Sequence, residues 1–131
     1  MTTEGFISLF CKETGEDPVN IFERGRQAGW LEVQDEVFRQ DPITRKNVAR
    51  ILHMYLLKVK NIQDLDIKDA EVLRDLYDCR VCANHIAQMY LHGVMDAKDL
   101  MEGGRFLWFD LDGEDSDEVN KDHIRRLLSI R

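Results

Sequence analysis

The sequence predicts a mainly α-helical protein, and three observations carry that expectation. Only 2 Pro and 8 Gly occur in 131 residues. β-Branched residues never gather in alternating runs, and several segments place apolar residues at helical spacing. A hydrophobic content of 44% is enough for a core. The length predicts a single domain over 1–131, burying roughly two-thirds of its unfolded surface.

The first helix is predicted over 4–14, with Phe6, Leu9, Phe10 and Glu13 in a narrow stripe and Gly15 as its stop. The second starts at Asp17 as N-cap with Pro18 in the first helical position. Val19, Phe22 and Arg26 share one face, Ile21 and Ala28 lie beside it, and Gly29 stands where a left-handed terminator belongs. Residues 30–38 read as an extended or turning segment. The third helix is the clearest: Thr44 caps it, and Val48, Ile51, Leu52, Tyr55 and Val59 follow helical spacing. Ile43 before the cap and Val48 after it can form a hydrophobic staple.

Asp66 is expected to cap a fourth helix carrying Ala70, Leu73 and Tyr77. A fifth is predicted over 79–91, with Cys82, Ile86 and either Met89 or Tyr90 inward and Gly93 at its end. After a loop containing Gly103-Gly104 and an acidic stretch, a last helix is predicted over 121–130. Asn120 is its expected cap, Val119 and Ile124 its staple, and Ile124, Leu127 and Leu128 its apolar face.

Charge narrows the function. The chain has 18 basic and 25 acidic residues, a net of −7, which argues against a nucleic-acid partner. Residues 109–122 hold seven acids and one base, hence −6 of that total. No stretch approaches the ~20 apolar residues that span a bilayer, so no membrane partner is expected. The N-terminus has no basic n-region, and the apolar run 6–11 is too short for a signal core. The expectation is therefore a cytoplasmic protein, or a cell-wall one if the chain is excised from a longer protein. Three Cys suit a reducing compartment better than a disulfide framework.

Two segments look alike. Over 19–57 a helix is followed by Gly29-Trp30-Leu31, then Phe38, then Ile43-Thr44-Arg45 opening a helix with Ala49-Arg50-Ile51-Leu52. Over 83–130 a helix is followed by Gly93-Val94-Met95, then Gly104-Arg105-Phe106, then Val119-Asn120-Lys121 opening Ile124-Arg125-Arg126-Leu127-Leu128. With the helix before it, the second unit runs over 64–130, the acidic loop being an insertion. One such unit has too little apolar face to stand alone, whereas two can bury their faces against each other.

This pattern resembles the S-layer homology (SLH) repeat, in which an A-I-x-x-L helix ends in G-I-I and is followed by D-G-T-F and by P-I-T-R-A-E. Asp41-Pro42-Ile43-Thr44-Arg45 matches the last motif, and Asp35-Glu36-Val37-Phe38 takes the place of the third. Ala87-Gln88-Met89-Tyr90-Leu91-His92-Gly93-Val94-Met95 resembles the first helix and its turn. The resemblance implies attachment to an anionic cell-wall polysaccharide through the motif's arginine, here Arg45. It also implies a pseudo-threefold bundle, in which two units leave one side open. Either the N-terminal helix with Phe6, Leu9 and Phe10 fills that side, or the chain forms a homodimer through it.

The residues themselves offer few sites. Free N–H groups at the start of the third helix suit an anion, so Thr44, Arg45 and Lys46 are candidate ligand-binding residues, with Trp30 as a platform for a sugar ring. The alternative is two solvated basic side chains. Arg45→Ala is expected to weaken an anionic ligand and to leave the fold intact, because a cation gains nothing from the dipole at a helix start.

Cys79, Cys82 and His85, with His92 beyond, suggest zinc, but helical spacing also suits a packed Cys82. A thioredoxin-like redox role needs a βαβ context that the pattern lacks. Asp110-Leu111-Asp112-Gly113-Glu114 opens like a calcium loop without completing the ligand set. His53, His85, His92 and His123 read as structural or exposed, and no catalytic constellation or cofactor motif is found. A non-enzymatic SLH-like module for an anionic polysaccharide is expected, or alternatively an intracellular protein–protein interaction domain without the wall ligand.

Overall fold

A computed structural model describes residues 1–99 and 106–131. It is mainly helical, as composition and periodicity predict. In order the elements are α1 (Thr3–Thr14), α2 (Ile21–Ala28), α3 (Val33–Val37), α4 (Arg45–Lys58), a 3₁₀ helix (Ile67–Val72), α5 (Ala83–Leu91), strands β1 (Lys98–Asp99) and β2 (Leu107–Trp108), and α6 (Asp117–Leu128). The two strands pair antiparallel, Lys98 opposite Trp108 and Asp99 opposite Leu107. Gly103 and Gly104 of the expected loop lie outside the described residues.

Helix α4 packs on α5, and α1 packs on α6. One cluster of buried side chains joins them, running through Phe6, Ile51, Leu52, Ile86, Met89, Ile124 and Leu127. At one end the rings of Phe10, Trp30 and Tyr55 meet at centroid distances of 4.8–5.1 Å, two of the three contacts edge-on. Phe6 and Phe10 are thus covered within the chain by its own N-terminal packing.

Several expected boundaries move, each for a local reason. α2 begins at Ile21 rather than Asp17, because the Asp17 side chain accepts the Val19 N–H in a turn and Asn20 enters the left-handed region at φ 55°. Its buried face is accordingly Ile21 and Gly25, and Val19 is exposed. Gly25 lies against Leu31, where a Cβ would come within 2.4 Å of that side chain. Residues 33–37 form a short helix instead of an extended segment, and the Asp35 carboxylate accepts the Glu32 N–H at 2.8 Å to start it. Asp66 does cap, but it caps a 3₁₀ helix that stops at Val72, leaving Tyr77 exposed. α5 starts at Ala83, since residues 79–82 form a turn closed by a Cys79–Cys82 disulfide. That bridge corrects the expectation of free thiols; Cys11 alone among the three is free, and it is buried.

The last helix begins at Asp117, four residues before the expected start at 121. Ser116 caps it, accepting the Val119 N–H, and Asp117 and Glu118 in the first turn complement the helix dipole. Asn120 is therefore inside α6 and buried, and exposed Val119 forms no staple with buried Ile124. The staple expected at Ile43 and Val48 has both members buried.

Backbone hydrogen bonds repeat at two places. After α2, Gly29 donates to Arg26 O, and Trp30 and Leu31 both donate to Gly25 O; after α5, Gly93 donates to Tyr90 O, and Val94 and Met95 both donate to Met89 O. Both glycines have positive φ, 89° and 72°. At helix starts, Thr3 and Glu4 donate to the carbonyls of Asp41 and Arg39, while Arg45 and Lys46 donate to those of Gly113 and Leu111. The first N–H groups of α1 and α4, which have no partner in their own helix, are thus met by carbonyls from loops much further along the chain.

Candidate functional site

The first group of interest surrounds Arg45. The acidic segment, anchored where the Asp75 carboxylate accepts the Phe109 and Asp110 N–H groups at 2.7 and 2.8 Å, folds back over the start of α4. Arg45 is 3% exposed. Its Nε donates to Phe109 O at 2.8 Å, its Nη2 to Asp96 O at 2.7 Å, and its Nη1 to the Asp115 carboxylate. The guanidinium also lies 4.6 Å from the centre of the Phe109 ring. His123 bonds the same Asp115 carboxylate through Nε2 at 2.9 Å, with Nδ1 at 3.2 Å from Val94 O. Both ring nitrogens face acceptors, so both bonds form together only in the doubly protonated ring. Burial alone would raise the Asp115 pKa, but the His123 hydrogen bond and the Arg45 charge outweigh it and hold the carboxyl below its usual value.

This arrangement corrects the expected ligand site. Arg45 does not offer a free fork at a helix start, because the chain's own carboxylate and carbonyls hold it in the interior. Trp30 is buried in the aromatic cluster with Phe10 and Tyr55 and offers no sugar platform. Thr44 precedes α4 but its hydroxyl caps nothing; Oγ1 is buried without a partner among the described residues. Lys46 is half-buried and pairs with Asp112 at 2.8 Å. The two backbone N–H groups expected to receive an anion already donate to Gly113 O and Leu111 O.

A second group was not legible as a unit in the sequence. The His53 Nε2 lies 2.7 Å from Asp64 Oδ1, and the His53 Nδ1 lies 2.8 Å from the His85 Nδ1. Asn84 donates to the other Asp64 oxygen at 3.0 Å. With His53 neutral, its Nε2–H donates to the carboxylate, its Nδ1 accepts from the His85 Nδ1–H, and the His85 Nε2 is left with a free lone pair. His53 comes from the middle of α4, His85 from the first turn of α5, and Asp64 from the connection between them. Their separation along the chain gave no motif; only the α4–α5 packing assembles them.

Burial, then the neighbouring His53 and Arg50, push the His85 pKa down to about 4. For Asp64, burial pushes up, but the hydrogen bonds from His53 and Asn84 prevail and its pKa is lowered. His92 is lowered as well, by burial and then His53. A consequence follows for stability. Between pH ~6.5 and ~4 the unfolded chain binds protons on His85 that the folded chain does not, so stability falls as pH is lowered through that window. Urea midpoints at pH 7 and 4.5 should therefore differ more in wild type than in His85→Asn. Equal drops in the two proteins would exclude this origin.

Among the described residues, no group of three or more His, Cys, Asp or Glu side chains is arranged to hold a metal ion. No described helix is long and apolar enough to cross a membrane. Comparison with known proteins finds no matching family model, no matching curated protein and no matching solved structure.

Proposed function

We propose that this chain is an SLH-like, non-enzymatic binding module whose partner is another protein rather than a wall polysaccharide. The observation that carries this reading is the Asp115 carboxylate held against Arg45. In the resemblance, that arginine is the one that meets an anionic ligand; in this chain the acidic insertion meets it instead. The repeated hydrogen-bond pattern at Gly29 and Gly93, and the matching carbonyl caps on α1 and α4, support a two-unit architecture of that kind. A surface suited to a protein partner is available on α3. Val33 and Val37, four residues apart and so on one face, are 64% and 63% exposed, and the adjoining Phe38 is 57% exposed.

Two measurements test the reading. Carboxylated wall-type sugars titrated into the wild-type protein should give no saturable binding; saturable binding that is lost in Lys46→Ala would restore the polysaccharide reading. A photo-crosslinker at position 38 should yield protein adducts in the producing cells that Val37→Asp removes. Equal yields from a crosslinker at exposed position 12 would exclude α3 as the binding face.

A further inference from the structure

We propose that Cys79 and Cys82 form a reversible dithiol–disulfide pair that exchanges with a dithiol reductant, with Cys82 as the leaving sulfur and His85 as the group that receives the proton. The pair lies at the surface, in the turn that precedes α5, and Val81 between them is 85% exposed. Cys82 is the residue at the start of α5, and His85 stands three positions on, across the first turn. Both line one cavity of about 170 Å³, which Arg50, Lys46 and Glu32 also border. Cys79 borders a different cavity, of about 310 Å³, where Asp75, Asp78, Asp110 and Asp112 gather beside Lys46.

The two sulfurs therefore differ in their surroundings. Negative charge developing on Cys82 meets the N-terminal end of α5 and, around its cavity, Lys46, Arg50 (itself paired with buried Asp35) and the Glu32 carboxylate. Negative charge on Cys79 meets four carboxylates and one cation, Lys46, which is paired with Asp112. A thiolate leaves more readily where it is better stabilised, so the S–S bond breaks towards Cys82.

The hydrogen-bonded chain supplies the proton's destination. With His53 neutral, the His85 Nδ1–H is committed to His53 and the Nε2 lone pair is left free on a side chain that lines the same cavity as Cys82. An incoming thiol gives its proton to His85 Nε2, whose basicity is low while the S–S bond is intact and rises as negative charge develops on Cys82 in the same cavity. Its sulfur then bonds to Cys79 Sγ, the Cys79–Cys82 bond breaks, and the electron pair leaves on Cys82 Sγ. The thiolate and the imidazolium form a pair, and the imidazolium is held by His53 and, through it, by Asp64. The second thiol of the reductant displaces Cys79, which takes up a proton. The reductant leaves as its cyclic or paired disulfide, two electrons and two protons having passed to the protein. Reoxidation runs the same steps backwards, with Cys82 as attacking thiolate. This role uses residues that the α4–α5 contact brings together, and it does not depend on the identity of the binding partner.

The experiment uses the folded chain and dithiothreitol. Reduction is quenched with acid, alkylated and followed by peptide mass spectrometry, which separates the pair from buried Cys11. Reduction should be complete without loss of the helical circular dichroism. His85→Asn should slow it at least tenfold at pH 7, with the melting temperature of the oxidised form within a few degrees of wild type. Independently, Cys82 in Cys79→Ser should be alkylated with a lower apparent pKa than Cys79 in Cys82→Ser, each read on its own peptide apart from Cys11. A rate within twofold of wild type in His85→Asn, reduction that proceeds only as the protein unfolds, or the opposite order of thiol pKa values would each overturn the proposal.

Discussion

Arg45→Met should melt on the order of 10 °C below wild type. The substitution keeps much of the side-chain volume but strips Asp115 of its cation, and it leaves the carbonyls of Phe109 and Asp96 without their buried donors. Removing one partner of a buried ion pair costs roughly 3–5 kcal/mol, because the other charge stays behind uncompensated. For a chain of this size each kcal/mol moves the melting temperature by about 3–5 °C. Arg45→Met combined with Asp115→Leu should recover part of the loss, since it removes both charges. Thermal and urea denaturation of the three proteins measure this directly. A cost below about 1 kcal/mol for the single substitution would mean that the pair is not formed as described. The expectation from sequence ran the other way. At a helix start a cation is disfavoured by the dipole, so loss of Arg45 was expected to leave the fold intact. The acidic loop reverses that sign by bringing its carboxylate to the guanidinium.

Phe10→Ala should destabilise by about 3–5 kcal/mol, the usual cost of emptying a buried aromatic site. Phe10 is fully buried and touches both Trp30 and Tyr55, so the void opens where α1, the turn after α2 and α4 meet. Large neighbours fixed by each other's edges collapse poorly into such a void. Phe38→Ala is the control. Its ring stands in solvent, and the change should stay within about 0.5 kcal/mol. Similar costs for the two substitutions in chemical denaturation would contradict the described packing.

How far the sequence carried is visible in particular residues. Helices α1 and α4 were legible almost to their ends, because long apolar periodicity and a nearby capping residue agree. So were the glycine turns, since the left-handed position favours glycine whatever surrounds it. The start of α6 was misplaced because Ser116 and Asn120 are both good caps. The choice between them turns on Asn120 being wanted inside, against Asp115 and Met1. The Arg45 site was found as a position and misread as a surface. Its burial comes from Asp96, Phe109 and Asp115, and nothing local to Thr44-Arg45-Lys46 announces them. The Asp64–His53–His85 chain was missed for the same reason: its members lie on elements whose pairing periodicity cannot supply.

The caps on α1 and α4 set an order for the chain's own synthesis. α1 needs only the carbonyls of residues 39 and 41, so its first turn can close once residue 41 has left the ribosome. α4 must wait, because the partners of the Arg45 side chain stand 51, 64 and 70 residues further on. Throughout that interval the guanidinium that ends in the interior lacks its three partners. Closing so long a loop adds entropy that only the finished contact repays. In the nascent protein Arg45 therefore lacks its partners until the acidic loop arrives, and a chain released before residue 115 lacks the Asp115 carboxylate at the start of α4.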